Sequence, residues 1–390
     1  MNALREKFLM LLAETQTDYI RDLHRAIAWD EQLIAIIGAR GVGKTTLVLQ
    51  HIKLHEDIET SLFVYADDMW FATHTIIELA DRFYKEGGKA LYIDEIHKYK
   101  NWSREIKNIY DSYQGLRVCY TGSSILDLQK GGHDLSKRLL EYKMHGVSFR
   151  EYLAIGHGIT LPVHTLEQIL ENKIEFPYTD YRPIALFKEY LKSGYYPYFK
   201  KTGYNLRLNK VINRVIEEDI PRFAELSVTM AEKLKVLLYI ISQSVPFKPN
   251  YSKLSRELGI HRNYVSDLVY WLERAGLINI LRDETKGIKL LGKVNKIYMN
   301  NPNLAYVLSD TGPNIGNIRE TVFLSWLNVT HSITSSSVSD FKIDKYTFEI
   351  GGKSKGKTQI ENVENAFLVK DDIEYGYMQS IPLWAFGLLY

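Results

Sequence analysis

The residues best equipped for chemistry form one short stretch, Gly38-Ala39-Arg40-Gly41-Val42-Gly43-Lys44-Thr45, which fits the phosphate-loop pattern of glycine, four variable residues, glycine, lysine and a hydroxyl residue. Glycines let successive backbone N–H groups converge on a phosphate, and the helix that follows adds its positive end. Lys44 neutralises the β- and γ-phosphates, Thr45 offers a hydroxyl to Mg²⁺, and Thr46 carries the loop into its helix. The expected ligand set is therefore ATP with Mg²⁺. Arg40, third in the loop, contributes backbone, and its side chain is expected to face outward without a catalytic role. A second acidic element, Leu91-Tyr92-Ile93-Asp94-Glu95, ends an apolar strand in Asp94, placed for the Mg²⁺ shell, and then in Glu95, placed to polarise the attacking water. A further apolar strand closes in Thr121-Gly122-Ser123-Ser124. There Ser123 or Thr121 either senses the γ-phosphate and orients the water, or caps the next helix.

Such residues need a rigid carrier. The first 150 residues alternate short apolar runs with longer stretches of helical spacing, which predicts an α/β phosphate-loop domain with a parallel sheet over 1–150. Strands are expected at 33–37, 62–65, 90–93, 116–120 and about 142–147. The loop directly follows the first strand and directly precedes a helical run at 46–52, the context that phosphate binding requires. The strand at 62–65 is expected to separate the Asp94 strand from the loop strand. Residues 151–230, richer in Tyr and Pro, read as a helical lid or linker.

The whole chain sets wider bounds. At 390 residues it exceeds one ordinary core and calls for two or three domains. Its 45% hydrophobic and 25% charged content excludes a disordered or fibrous chain. A net charge of +2 leaves nucleic acid open, because a basic face can sit inside a neutral total. Cys119 is the only cysteine, so internal disulfides and cysteine-type zinc sites are excluded and a reducing, cytoplasmic setting is expected. The apolar run at 8–13 is too short to span a membrane and reads as the start of a soluble helix. The eleven histidines lack H-x-H and H-E-x-x-H spacing, so no dedicated zinc site is expected. His97 reads as a helix-start residue on the far side of the loop. The 27 tyrosines are expected to fill the core and domain contacts.

Taken together, the loop, Asp94-Glu95, Thr121-Gly122-Ser123-Ser124, Leu135-Ser136-Lys137-Arg138 and Val147-Ser148-Phe149-Arg150-Glu151-Tyr152 resemble the AAA+-related prokaryotic ATPases. In that family the ATPase core is joined to a winged helix and a restriction-endonuclease-like C-terminal domain of the DUF4143 type. The resemblance covers nearly the whole chain. It implies an AAA+ sheet order in which the Asp94 strand is not adjacent to the loop strand. It also implies that Arg138 stabilises the γ-phosphate in cis, or in trans within a homo-oligomer, the alternative being a surface salt bridge.

Residues 231–300 read on their own as three helices, two strands and a charged hairpin around 283–287, which is helix-turn-helix plus wing. Here twelve Lys and Arg stand against six Asp and Glu, and His261, Arg262, Asn263 and Tyr264 open the third helix where such helices meet a major groove. The partner is DNA, or else the module is a spacer or protein-docking unit. In 301–390, Glu320, Asp340 and Glu349 follow the acidic order of the restriction-endonuclease-like folds, where two carboxylates hold a divalent metal. The resemblance puts a lysine two residues after the second acid, yet Gly351 stands there. Nuclease activity is therefore expected to be absent, unless Lys353 or Lys355 reaches the site from a shifted backbone. Three functions compete: an ATPase motor or remodeller, an ATP-binding regulatory switch, and an ATP-gated nuclease.

Overall fold

A computed structural model describes residues 1–123, 135, 137–174, 182–283 and 293–390, in two compact units, Met1–Gly146 and Val147–Tyr390. Ser124, Ser136 and the tip of the hairpin predicted at 283–287 lie outside the described residues.

The first unit is built on strands β1 (Leu33–Gly38), β2 (Ser61–Tyr65), β3 (Ala90–Asp94), β4 (Arg117–Ser123) and β5 (Leu140–Lys143), all parallel, in the order β2-β3-β4-β1-β5. The α/β parallel sheet is therefore the one that the alternating pattern predicts, and the Asp94 strand is indeed not next to the loop strand. What separates them is β4, not the strand at 62–65. β2 lies instead at the sheet edge, where helix α1 (Asn2–Glu14) covers it and Arg5 donates to the Ser61 carbonyl. Apolar strands show which segments enter a sheet, but their lateral order depends on which edge a helix can protect. The opposite edge, β5, is short and largely exposed, and it stops at Lys143, before the predicted end. Beyond it the Met144 carbonyl comes so close to Gly38 that a Cβ there would meet it at 2.2 Å. In α1, Leu4, Phe8 and Leu12 are buried at successive turns and form its inner face, so the apolar run at 8–13 belongs to this helix, with Phe8 and Leu12 inward and Leu9 and Met10 exposed. Helices α2 (Leu23–Ala26), α3 (Lys44–His55), α4 (Ile76–Lys85) and α5 (Trp102–Ser112) complete the unit. Among the described residues, no helix is long and apolar enough to cross a membrane.

The second unit opens with helix Phe149–His157, started by a reciprocal cap between Ser148 and Glu151. Phe149 packs against Phe187, Tyr190 and Trp326, and Arg150 donates to the carbonyls of Leu161 and Tyr390. The segment 147–152 is thus a structural joint of this unit. Asn303, fully buried, accepts from the Tyr195 amide and the Tyr204 hydroxyl and donates to the carbonyls of Tyr190 and Leu191. Buried tyrosines recur around it, each ring giving apolar area while one hydroxyl finds a partner. Helices Val228–Gln243, Tyr251–Leu258 and Arg262–Arg274 precede an antiparallel pair, β6 (Ile278–Arg282) and β7 (Val294–Met299), with Phe247 bridging to Ile297. Helix Ile315–Thr330 then packs on a mixed sheet of order β12-β11-β10-β9-β8, formed by β8 (Thr334–Ser335), β9 (Phe341–Ile343), β10 (Tyr346–Gly351), β11 (Ala366–Lys370) and β12 (Ser380–Pro382).

Candidate functional site

β1 delivers the loop, and the loop turns only because glycine permits it: Gly41 and Gly43 take φ of 84° and 104°, a region that costs other residues strain. The turn aims the amide end of α3 back over the sheet's C-terminal edge. Arg21, which the sequence reading passed over, holds the loop from behind by donating to the carbonyls of Val42, His145 and Gly146. Lys44 is buried, and its Nζ donates to the carbonyls of Gly38 at 2.9 Å and Ala39 at 3.1 Å. A phosphate oxygen offers that ammonium a stronger, charged acceptor.

Asp94 lies across from the loop. Thr45 Oγ1 donates to its Oδ2 at 2.8 Å, and Thr121 Oγ1 donates to its Oδ1. The two residues assigned to the metal therefore meet directly. Burial raises the Asp94 pKa, with Glu95 adding to the rise, while the two threonine hydroxyls and Lys44 oppose it. Thr45 and Asp94 would hold a dication here, whose positive charge would offset that burial penalty.

Glu95 follows in a left-handed conformation, φ 54°, its amide donating to Thr121 Oγ1 at 3.1 Å. This conformation is uncommon away from glycine. Its Oε2 is buried without a hydrogen-bond partner, yet the cations Arg40, with Nη2 at 3.9 Å, and Lys98, with Nζ at 3.9 Å, stand around it, and His97 Nε2 lies at 3.5 Å. Burial alone pushes the carboxyl up, but Lys44, His97, Arg40 and Lys98 together hold it below its ordinary range. Two sequence readings are corrected here. Arg40 does not face outward, because the turn at Gly41 folds its side chain onto Glu95. His97 is not on the far side, because the short 3₁₀ turn Ile96–Lys98 brings it back over the carboxylate. Lys98, which also pairs with Asp67 at 2.6 Å, carried no signal in the sequence beyond its nearness to Glu95.

Of the two hydroxyls on β4, Thr121 is the one that touches Asp94 and Glu95. Ser123 is buried opposite Gly38 in the β1–β4 register, beside the start of the loop. Thr46 is exposed on the first turn of α3. Arg138 does not join the site within this chain. It pairs with Asp111 at 3.2 Å and lies over the Tyr110 ring at the C-terminal end of α5, whose Tyr110 carbonyl bonds Gln32 just before β1. A crossover helix runs antiparallel to its strands, so this end lies at the sheet edge opposite the loop.

The second unit holds another acidic group. Glu320 accepts from the Tyr298 hydroxyl at 2.7 Å and pairs with Lys296 at 3.4 Å, which also reaches Asp340 at 3.5 Å. Burial and the neighbouring Glu320 and Glu349 raise the Asp340 pKa to about 6. Glu349 pairs with Lys355 at 2.5 Å. A side chain on Gly351 would meet the Lys355 stem at 2.4–2.5 Å, so the bare glycine is what lets Lys355 cross to Glu349. His261, Arg262, Asn263 and Tyr264 are all exposed at the start of helix Arg262–Arg274. Not all of the local positive excess is available: Arg282 is held bidentately by Glu273, and Lys296 by Glu320 and Asp340.

Comparison with known proteins agrees with the first unit. Residues 30–153 match a family described as an AAA domain, and residues 184–314 match a domain of unknown function, DUF8612. An uncharacterised protein of Methanocaldococcus jannaschii is 26% identical over 267 residues, covering 64% of this chain and 56% of its own length. The chain thus spans little more than half of that relative. Among solved structures, NtrX from Brucella abortus in complex with ADP aligns at TM-score 0.30 and 16% identity, over 69% of this chain and 72% of its own. PCH-2 from C. elegans aligns at TM-score 0.26 and 14% identity, over 69% and 68%. At these scores neither likeness fixes fold or function. The phosphate-loop geometry and the family match together make residues 30–153 a nucleotide-binding domain of the AAA-related P-loop type.

Proposed function

We propose that this chain hydrolyses ATP with Mg²⁺, using Glu95 as the base. The observation that carries the proposal is the Glu95 carboxylate itself: buried, ringed by cations that keep it ionised, and set one residue beyond an Asp94 already joined to Thr45. The loop amides from Gly38 to Gly43 and Lys44 bind and orient the phosphates, and the start of α3 at Thr45 and Thr46 supports them. Thr45 and Asp94 are the groups that would hold Mg²⁺, which when bound neutralises charge developing on the phosphate oxygens. Thr121 fixes Asp94 and the Glu95 backbone together, so both carboxylates keep their spacing. Glu95 accepts a proton from the attacking water, and Ser123 stands beside the loop to contact the γ-phosphate end. Arg138 acts on another copy's nucleotide in a homo-oligomer. The single buried thiol, Cys119, fits a reducing, cytoplasmic setting.

The coupled partner we assign is duplex DNA, met by His261, Arg262, Asn263 and Tyr264, whose exposure leaves them able to enter a groove. The test is phosphate release with and without duplex DNA. Wild-type protein is expected to turn over, and Glu95→Gln to bind ATP without turnover. Tight ATP binding by wild type with no phosphate release in either condition rejects the hydrolase and leaves the regulatory switch. A gel shift that is absent or insensitive to salt rejects the DNA assignment.

One observation favours a second activity. Lys355 on Glu349, beside Asp340, supplies the lysine that Gly351 lacks, so these residues can hold a divalent ion for phosphodiester cleavage. Cleavage of DNA lost in Glu349→Ala and kept in Lys44→Ala establishes it; an inert wild type ends it.

A further inference from the structure

Behind the phosphate loop, on the far turns of α3, three histidines converge that the catalytic argument does not use. His51 and His55 stand four residues apart on one face of α3, and His24 comes from α2. One ligand atom from each lies within 4.8 Å of the others. Their ring centres form a nearly equilateral triangle, with His24–His51 at 5.3 Å, His24–His55 at 5.2 Å and His51–His55 at 5.4 Å. With Zn–N bonds of roughly 2.1 Å and tetrahedral angles, three coordinating imidazoles have ring centres about 5 Å apart. His24 Nε2 and His51 Nδ1 already face each other at 3.2 Å. Two nitrogens on a tetrahedral zinc are separated by roughly 3.4 Å.

An outer layer of contacts is also in place. His51 Nε2 lies 3.3 Å from Glu56 Oε1, which fixes the proton there and leaves Nδ1 as the lone pair aimed into the triangle. Glu56 is itself anchored by both Arg117 Nη atoms at 2.8 Å and by the Tyr92 hydroxyl at 2.8 Å. Trp29 stacks on His51 at 3.7 Å, which holds that ring in orientation, and its indole N–H donates to the His24 carbonyl, which ties down the backbone at His24. The other charges that face the group are Arg25 beside His24 and Arg117 behind Glu56. Burial, with the neighbouring imidazoles, pushes His24 down to about 4 and also lowers His51. A metal takes imidazoles in their neutral form.

We infer that His24, His51 and His55 form a binding site for a first-row transition metal ion, with Zn²⁺ the best match, clamping α3 to the segment around α2. Neutral imidazoles select Zn²⁺, Ni²⁺ or Cu²⁺ over Mg²⁺, so the site does not compete for the ion at Thr45 and Asp94. His51 lies seven residues beyond Lys44, about 10 Å along the helix, which makes this ion structural and separate from the phosphates. The open side, next to exposed His55, leaves room for water as the fourth ligand.

The test uses the full chain without a polyhistidine tag, titrated with ZnCl₂ and, for a spectrum, with CoCl₂. One equivalent of zinc is expected to bind at micromolar or tighter affinity and raise Tm, and Co²⁺ to give the visible bands of a low-coordinate nitrogen site. His55→Ala, an exposed change that leaves the core intact, is expected to weaken zinc at least tenfold with ATP turnover unaltered. His24→Asn is expected to do the same. No saturable zinc binding by the wild type overturns the inference and leaves the cluster as aromatic packing around Trp29. Zinc binding unchanged in both variants overturns it equally, since the ion is then held at Asp94 or Glu349.

Discussion

Both units gather carboxylates near cations, but the two acidic groups are arranged in opposite ways. In the first, Asp94 and Glu95 are consecutive, and one strand end sets both. Glu95 keeps its Oε2 buried with no hydrogen bond, while Lys98, Arg40 and His97 stand 3.5–3.9 Å away, outside close ion-pair contact. In the second, Glu320, Asp340 and Glu349 come from a helix, a loop and a strand, and Lys296, Tyr298 and Lys355 already answer them at 2.5–3.5 Å. Charge that is neutralised at close range rests; charge held ionised but unsatisfied is ready to accept a proton or an ion. Hydrolysis is accordingly assigned to the first group and only a conditional activity to the second.

The sharpest way to break this contrast is to remove one charge from each. Glu95→Gln is expected to lower the rate of phosphate release by about a hundredfold or more, the usual cost of a lost general base, with ATP affinity within about twofold of wild type. Glu349→Gln should leave that rate unchanged. Equal losses in both, measured as kcat under saturating ATP, would mean that the two groups are not separate sites.

The contrast also explains what could be read from the amino-acid sequence. The loop, Asp94 and Glu95 were legible because the chemistry needs contiguous residues at a strand end, and contiguity survives in a linear string. Thr121 was legible as one of two hydroxyls, yet only the register of β4 beside β3 separates it from Ser123. The position of β4 was not legible, because lateral strand order follows from which edge α1 covers. Arg40, His97 and Lys98 were misread or missed, since each reaches the site through a turn whose direction is set by φ at Gly41 and Glu95, and Arg21 was missed because its bonds go to carbonyls distant in sequence, those of Val42, His145 and Gly146. The histidine triangle was hidden for a related reason. His51 and His55 have the four-residue helical spacing, but the third ring comes from another element, and no local pattern announces it.

A smaller effect tests the second group through its glycine. In Gly351→Ala the new Cβ would collide with the Lys355 stem near its backbone, so the strand or the lysine must move. The expected cost is about 1–2 kcal/mol in chemical denaturation, with ATP turnover unchanged. A neutral substitution would show that Lys355 does not cross at this point.

Next in size is the pH dependence of the first group. His97 is among the charges that hold the Glu95 carboxyl down, so His97→Ala raises the Glu95 pKa. A base with a raised pKa is protonated at higher pH, and the acid limb of the kcat profile should therefore move upward by less than about one unit, with the plateau preserved. An unmoved limb would assign that limb to another group, and a downward shift would contradict the placement of His97 beside Glu95.

Arg138 provides the smallest expected effect and the most discriminating one. Its partner Asp111 is partly exposed, as is Arg138 itself, and such pairs contribute about 0–1 kcal/mol. Arg138→Ala should therefore leave stability almost unchanged, and turnover of dilute, monomeric protein should match wild type because the side chain lies at the sheet edge away from the loop. If the arginine serves a neighbouring copy, the deficit appears only as protein concentration rises: wild-type specific activity increases with concentration while that of Arg138→Ala stays flat. A variant that is impaired even when monomeric would place Arg138 at its own nucleotide, and α5 with it would have to lie elsewhere than beside Gln32.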